Sequence, residues 1–447
     1  MTTAPQRTLY WLTDDLRLHD NAAFTAAVEN SASLICVFCW DTSWHDSDRF
    51  GIERMGKHRE TFLKQTLFDL DQSLRKLGQR LLVMRGNPIE SISALVAQHS
   101  IDVVVRSERP GVYERWQWRN LQQRYPFLTY KEVPTFTLLR RNQLPFGDDL
   151  PRTFTQFRTQ VEALNMSSVA PTPQALPKPP PNLASTDFAP QASLGMSQTF
   201  VGGESAGLRH LHDYFSTQAA SHYKHTRNAL DGWYQSSKFS PWLANGSLSA
   251  RHILTTLRAY EIDKGANDST YWIFFELLWR EYFQWYADLH KHRLFRFAGI
   301  RDRKPLTSFY AERFRKWSTG QTPWPIVNAC MEQLNATGYM SNRGRQIVAS
   351  CLVNELSLDW RCGAAYFEQQ LIDYQVASNW GNWQYAAGVG ADPRGGRHFN
   401  LSKQAAEHDP DGTFVARWAP NTFTPLLDSV DMVDWPILPD DFNRQGT

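Results

Sequence analysis

The period of the apolar positions changes along the chain. Over residues 1–133, short apolar runs at Thr8–Leu12, Leu34–Trp40, Arg80–Arg85, Asp102–Arg106 and Thr129–Val133 alternate with helix-length stretches at Asn21–Asn30, Met55–Gly78, Pro88–His99 and Val112–Tyr125. Strands that alternate with helices predict βαβ units and a parallel, doubly wound sheet covered on both faces. From about Ala206 the alternation stops. Segments such as Trp272–His290 and Asn342–Glu355 carry apolar residues at three- and four-residue spacing, which predicts an all-α domain. Between the two lies a stretch with Pro171, Pro173, Pro177, Pro179, Pro180, Pro181 and Pro190 and few charges, read as an extended linker. The expected division is an α/β domain over 1–133, a linker over 134–205 and a helical domain over 206–447. A chain of 447 residues is too long for one core, which fits that division.

Composition narrows the function classes. Lys plus Arg number 47 and Asp plus Glu 45, a net charge of +2, which argues against coating nucleic acid by bulk charge. A local basic rim remains, with nine Lys/Arg between Lys291 and Lys316 against only Asp302 and Glu312. Cys36 and Cys39 form a C-x-x-C, but inside a strand their thiols point to opposite faces, and no second Cys/His pair stands at zinc spacing. No metal is expected, and five sparse cysteines suit a reducing cytoplasm. There is no apolar signal core at the N-terminus and no run of about 18 apolar residues, so no membrane partner is expected. The turn Thr13–Asp20 lacks glycine, which excludes the dinucleotide fingerprint.

Four segments of the helical half carry chemistry. Ser221-His-Tyr-Lys-His-Thr-Arg-Asn228 leads into Ser236-Ser-Lys-Phe-Ser-Pro-Trp242, where Ser240 before Pro241 reads as an N-cap and Ser249 as a second one. Hydroxyls and a lysine beside a helix start suit a phosphate. Glu276, Trp279 and Arg280 share one helix face, as do Asn342, Arg345 and Gln346. Polar groups on otherwise apolar helices are costly to bury without partners, which a binding pocket would supply. The fourth segment, Leu371 to Tyr385, adds Asp373 and Asn379.

Taken together and in this order, these motifs resemble the photolyase/cryptochrome family over nearly the whole chain. The Tyr223–Asn228 string, Gln346, Tyr385 and Asn400-Leu-Ser-Lys-Gln404 resemble its cryptochrome-DASH branch. The resemblance implies an N-terminal antenna domain and a C-terminal domain holding FAD. Tyr223, Ser236, Ser237, Lys238, Phe239, Ser240 and Arg280 would contact the cofactor, with Asn342, Arg345, Asp373, Gln375 and Asn379 around its ring. Asp373 would pair with Arg345, and Asn379 would face the flavin N5. Glu276, Trp279, Arg343, Gln346 and Tyr385 would meet the DNA lesion. Trp383, Trp360 and Trp317 would form an electron relay to the surface. Glu114 and Lys291 fall near family positions for a methenyltetrahydrofolate antenna.

The implied activity is light-driven repair of cyclobutane pyrimidine dimers by electron transfer from reduced FAD, preferentially in single-stranded DNA. RNA is a second candidate partner, and the protein is expected to act as a monomer. The alternative is a blue-light photoreceptor that signals by flavin photoreduction without repair. The short tail after Trp418 and the intact Glu276, Trp279 and Asn379 favour repair. A dark flavin oxidoreductase would need a nicotinamide site, and none is visible. One departure bears on the flavin: Gln375 replaces the family's usual acid, so its side-chain oxygen is expected to accept from the flavin N3–H without adding charge.

Overall fold

The computed structural model describes residues 6–184, 200–392 and 394–420. Nearly all of the tail after Trp418, and Pro190 of the linker, therefore lie outside the described residues.

Strands β1 (Gln6–Leu12), β2 (Ser31–Asp41), β3 (Leu81–Gly86), β4 (Val103–Ser107) and β5 (Thr129–Val133) form one parallel sheet in the order β3-β2-β1-β4-β5. Helices α1 (Ala22–Val28) and α2 (Lys57–Lys76) cover one face, and α3 (Pro88–His99) and α4 (Val112–Arg124) the other. Alternate residues of each strand feed the two cores. Tyr10, Cys36 and Val105 lie in one, and Leu9, Cys39 and Val104 in the other. The two thiols do face opposite ways. All five cysteines are buried and free, and no metal-ligand cluster occurs among the described residues.

The stretch between the halves is more ordered than its prolines suggest. It contains a helix at Phe154–Val161, capped by Thr153, whose Phe154, Phe157 and Val161 at three- and four-residue spacing are buried in the helical domain's core. From Glu204 to Trp418 every regular element is helical. The predicted helix at Asn342 runs to Ser350 and then widens into a π-helical turn over Cys351–Glu355. No helix among the described residues is long and apolar enough to cross a membrane.

The two halves are stitched by the loop after β1. Arg17 is buried and donates to the carbonyls of Gly246 (2.8 Å), Asp20 (2.8 Å) and Thr135 (3.0 Å). Asp20 is fully buried and accepts from Arg251 Nε at 2.9 Å, from Ser249 Oγ and from the Ala170 N–H at 2.7 Å. Burial pushes the Asp20 carboxyl up, but Arg251 and these donors outweigh it and hold it below the usual carboxylate range. Asp20→Asn would leave Arg251 buried without its counter-charge. A loss of about 3–5 kcal/mol is expected, read as a lower urea midpoint with little change in slope. A lowered folded pKa contributes stability above the unfolded carboxyl value and loses it as pH falls through the folded one. The variant should therefore show a weaker loss of stability between about pH 4 and pH 2.

Candidate functional site

A cavity of about 220 Å³ lies inside the helical domain. The helix Ala219–Thr226 brings Tyr223 to its wall, and the turn before the helix Ser240–Ala244 brings Ser237 and Phe239. The long helix Asp268–His290 contributes Ile273, Glu276, Leu277 and Arg280. Arg345, Asp373, Gln375 and Ser378 close the remaining side. Capping explains much of this placement. Asn267 caps the long helix through the N–H groups of Ser269 and Thr270, and Gln375 caps the helix Val376–Ala386 through Ser378 N. Ser240 itself is the first residue of its short helix and makes no capping bond; Ser249 does cap, accepting from Arg251 and His252.

The charges on the wall are partnered inside the protein. Arg345 Nη2 donates to Asp373 Oδ2 at 2.7 Å and its Nε to the Met340 carbonyl at 2.9 Å. Arg280 donates to the Phe136 carbonyl at 2.6 Å; burial lowers its pKa to about 10, so it stays charged at neutral pH. Glu276 pairs with Arg227. Burial raises its carboxyl, with Arg227 opposing, so it keeps its proton to higher pH than an exposed glutamate. One polar atom on the wall is left over: Asp373 Oδ1 is buried and has no hydrogen-bond partner. An unpaired buried carboxylate oxygen calls for a donor from a ligand. Hydroxyls from Tyr223, Ser237 and Ser240, two guanidinium groups, and the apolar Leu243, Ala244, Ile273 and Leu277 suit a cofactor with phosphates, a polyol and a flat ring.

Several expected contacts fall elsewhere. Lys238, in a left-handed conformation at φ 54°, lays its ammonium over the Tyr339 ring at 4.6 Å, not on the cavity. Ser236 is half-buried off the wall, and Asn342 and Gln346 are exposed. Asn379 is buried, but its amide donates to the Ala364 carbonyl at 2.9 Å and it does not line the cavity. Gln375 lines it, yet its side-chain oxygen already accepts from Ser378 N (2.9 Å) and Gln284 Nε2 (3.0 Å), and its amide returns a bond to Gln284. With both lone pairs engaged, it is not a free acceptor for a ring N–H.

Of the residues expected to meet a lesion, Trp279 lies one turn beyond Glu276 on the long helix, while Gln346 is exposed. Trp279 stacks on Phe154 at 3.8 Å and meets Tyr385 edge-on at 5.8 Å. Arg397 donates to the Tyr385 hydroxyl, and Arg343 bonds Gln404 and Asn228, both at 3.3 Å. Arg227 lies within the Tyr223–Asn228 string, though the string assigns it no role, and Arg397 falls in no motif. In the basic rim, Arg293 and Arg296 lean on Asp302, and Arg315 pairs with Glu312. Arg301, Arg303 and Lys304 are exposed.

The tryptophans do not form the expected line. Trp317 meets Trp383 directly, edge-on at 6.2 Å, and is fully buried, so it cannot be a surface terminus. Trp360, also fully buried, meets Trp380 at 5.8 Å. Neither Glu114 nor Lys291 lines the cavity. A smaller cleft of about 30 Å³, beyond the ends of β4 and β5, is lined by Glu108, Phe136, Gln284, Trp285 and Asp288.

Residues 8–180 match the DNA photolyase family, and residues 272–425 match the FAD binding domain of DNA photolyase. The chain is similar to cryptochrome DASH of Idiomarina loihiensis, at 54% identity over 96% of each chain. It is also similar to cryptochrome DASH of Vibrio parahaemolyticus, at 50% identity over 96% of this chain and 97% of that one. The solved cryptochrome of Synechocystis sp. superposes with a TM-score of 0.89 at 37% identity, covering 99% of this chain and 98% of that one.

Asp373→Ala would strand Arg345 and remove the unpaired oxygen. The flavin-free protein should lose about 1–3 kcal/mol, the modest figure reflecting the solvent that reaches Arg345. FAD copurifying with the protein should fall sharply, measured as flavin absorbance per chain, with partial recovery in Asp373→Glu.

Proposed function

This chain belongs to the photolyase/cryptochrome family, in its cryptochrome-DASH branch, and from that premise we propose that it uses light to split cyclobutane pyrimidine dimers, preferentially in single-stranded DNA. FAD is its cofactor. The observation that carries the repair reading is that Glu276 lines the cavity and pairs with Arg227, while Trp279, one turn further along the same helix, meets Tyr385, whose hydroxyl accepts from Arg397. When bound and reduced, FAD supplies on illumination the electron that opens the dimer and regains it afterwards.

The residues of the chain do the rest. Tyr223, Ser237, Ser240, Arg280 and Arg345 would hold the cofactor's phosphates and polyol, while Leu243, Ile273 and Leu277 keep water from it. Trp279 and Tyr385 offer aromatic faces to the extruded pyrimidines. Glu276, whose carboxyl is raised by burial and opposed by Arg227, would meet a pyrimidine carbonyl when it carries its proton. The arginines, with Arg301, Arg303 and Lys304, track phosphates locally, as an overall charge of +2 requires. Single-stranded RNA is a weaker candidate for the same groups. We place the protein in the cytoplasm as a monomer, a setting in keeping with five free buried thiols. A methenyltetrahydrofolate antenna is a second candidate cofactor, with Glu114 and Lys291 as its candidate contacts. The second reading, a photoreceptor without repair, draws on the buried indoles around Trp383.

Opening a duplex costs a few kcal/mol that a single strand does not impose, so repair in single strands should exceed repair in duplex by about tenfold or more at matched salt. Glu276→Gln should lower repair while keeping FAD. Equal repair of both substrates would remove the strand preference, and no repair by fully reduced protein would leave the photoreceptor.

Trp383→Phe should cut photoreduction of oxidised FAD to a small fraction, followed by flavin absorbance under blue light. Wild-type photoreduction in that variant would exclude Trp383 as the electron donor.

A further inference from the structure

The indoles gathered near Trp383 differ in what their N–H groups meet. Trp317 Nε1 donates to the Val348 carbonyl and Trp360 Nε1 to the Phe297 carbonyl, both at 3.0 Å. A backbone carbonyl does not take up a proton at ordinary pH. Trp380 is different: its Nε1 donates to Glu368 Oε2 at 3.3 Å, with the Tyr374 hydroxyl at 3.4 Å. Tyr374 also lies against the Glu368 carboxylate. Trp380 lies three residues before Trp383 on the helix Val376–Ala386, so the two share a face. It also meets Trp360, with ring centroids 5.8 Å apart. Its relative exposure of 9%, against 0% for Trp317 and Trp360 and 2% for Trp383, puts it nearest the surface.

We propose that Trp380 is the end of the electron relay in this protein and that Glu368 traps the charge there by accepting its proton. The proposal rests on the reading of Trp383 as the first donor. One electron leaves Trp383 for the bound flavin, and Trp383 is refilled by one electron from Trp380, directly or through Trp360. The oxidised indole of Trp380 is a far stronger acid than indole itself. Its Nε1–H bond breaks, the bonding pair stays on nitrogen, and the proton passes to Glu368 Oε2. The products are a neutral indolyl radical, a neutral carboxylic acid and a flavin reduced by one electron, so charge and protons balance without a further reagent.

The surroundings of Glu368 suit that task. Burial raises its carboxyl, which makes it a better proton acceptor than an exposed glutamate. Arg59, whose guanidinium lies 4.5 Å from the Tyr374 ring and donates to the Glu368 carbonyl at 3.1 Å, opposes that shift, as does Arg54. Loss of the proton from Trp380 removes the positive charge that would otherwise drive rapid return of the electron.

The test is transient absorption and light-minus-dark infrared spectroscopy on the full-length, FAD-loaded protein. In wild type the long-lived tryptophan species should be the deprotonated radical, formed more slowly in D2O, with a carboxylic acid C=O band appearing alongside. Glu368→Gln keeps an oxygen to accept the N–H but cannot take the proton. It should lose that band and shorten the radical's life several-fold. Trp380→Phe should lower the yield of lasting flavin reduction several-fold. Resting flavin absorbance establishes that each variant is folded and loaded. If either variant fails to load, the solvent isotope effect and infrared band of the wild type decide alone. The absence of both, or unchanged lifetime and yield in the variants while Trp383→Phe blocks photoreduction, would overturn the proposal. Undiminished photoreduction in Trp383→Phe would overturn the relay reading beneath it.

Discussion

The buried Asp20–Arg251 pair, with Arg17 beside it, fixes where the helical half sits on the sheet. Open α/β sheets bind ligands at the carboxyl ends of their strands, where the strand order reverses. Here the reversal lies at β1, flanked by β2 and β4, and the loop after β1 leads straight into Arg17, Asp20 and their partners. The crevice that would receive a nucleotide in other sheets receives the second domain. Taking these charges out of water is costly, and it is offset because Asp20 meets three donors and Arg17 four backbone carbonyls. The approach leaves no room to spare. Gly246 has φ +72°, and a Cβ there would lie 1.7 Å from the Asp14 carbonyl oxygen.

That docking is what gives the cavity its rigid wall. Glu281, wholly buried on the long helix Asp268–His290, accepts the backbone N–H groups of Leu138 (2.7 Å) and Leu139 (3.1 Å) and the indole N–H of Trp285 (2.8 Å). The helix is thereby pinned to the segment leaving β5. Phe154 and Phe157, from the connecting stretch, pack on Trp279 and Tyr282 of the same helix. The connection between the halves thus supplies part of the core of the second.

How much of this could be read from the chain depends on how local the determining contact is. The five strands and four covering helices were legible to within a few residues because short apolar runs and helix-length stretches are local signals, reinforced at two of the helices by the caps Asn21 and Asn87. The C-x-x-C was legible because strand geometry alone sends the thiols apart. The Arg345–Asp373 pair came from a motif resemblance, and the 2.7 Å contact agrees with it. Helical spacing tells which residues share a face but not what the face meets. Asn342 and Arg345 are neighbours by that rule, yet Asn342 points to solvent and Arg345 to the cavity. The clamp at Asp20 has partners about 230 residues away and sits in a loop without period, so nothing local marked it. The saturation of Gln375 by Gln284 and the meeting of Trp317 with Trp383 are tertiary in the same way.

The long helix also explains how one element serves two clefts. Glu276 and Arg280 line the large cavity, and Gln284 and Asp288 the small one. The four stand at four-residue intervals. Each step advances about 6 Å and overshoots a full turn by about 40°. Over the three steps the stripe climbs about 18 Å and winds about 120° around the axis, so its two ends face different spaces. Gln284 stands at the crossing, bonded to Gln375 on the wall of the other cavity. Glu281 lies between the two pairs, held by the backbone of the connecting segment. A displacement of the helix large enough to reshape one cleft must therefore break the same buried carboxylate contacts as one that reshapes the other.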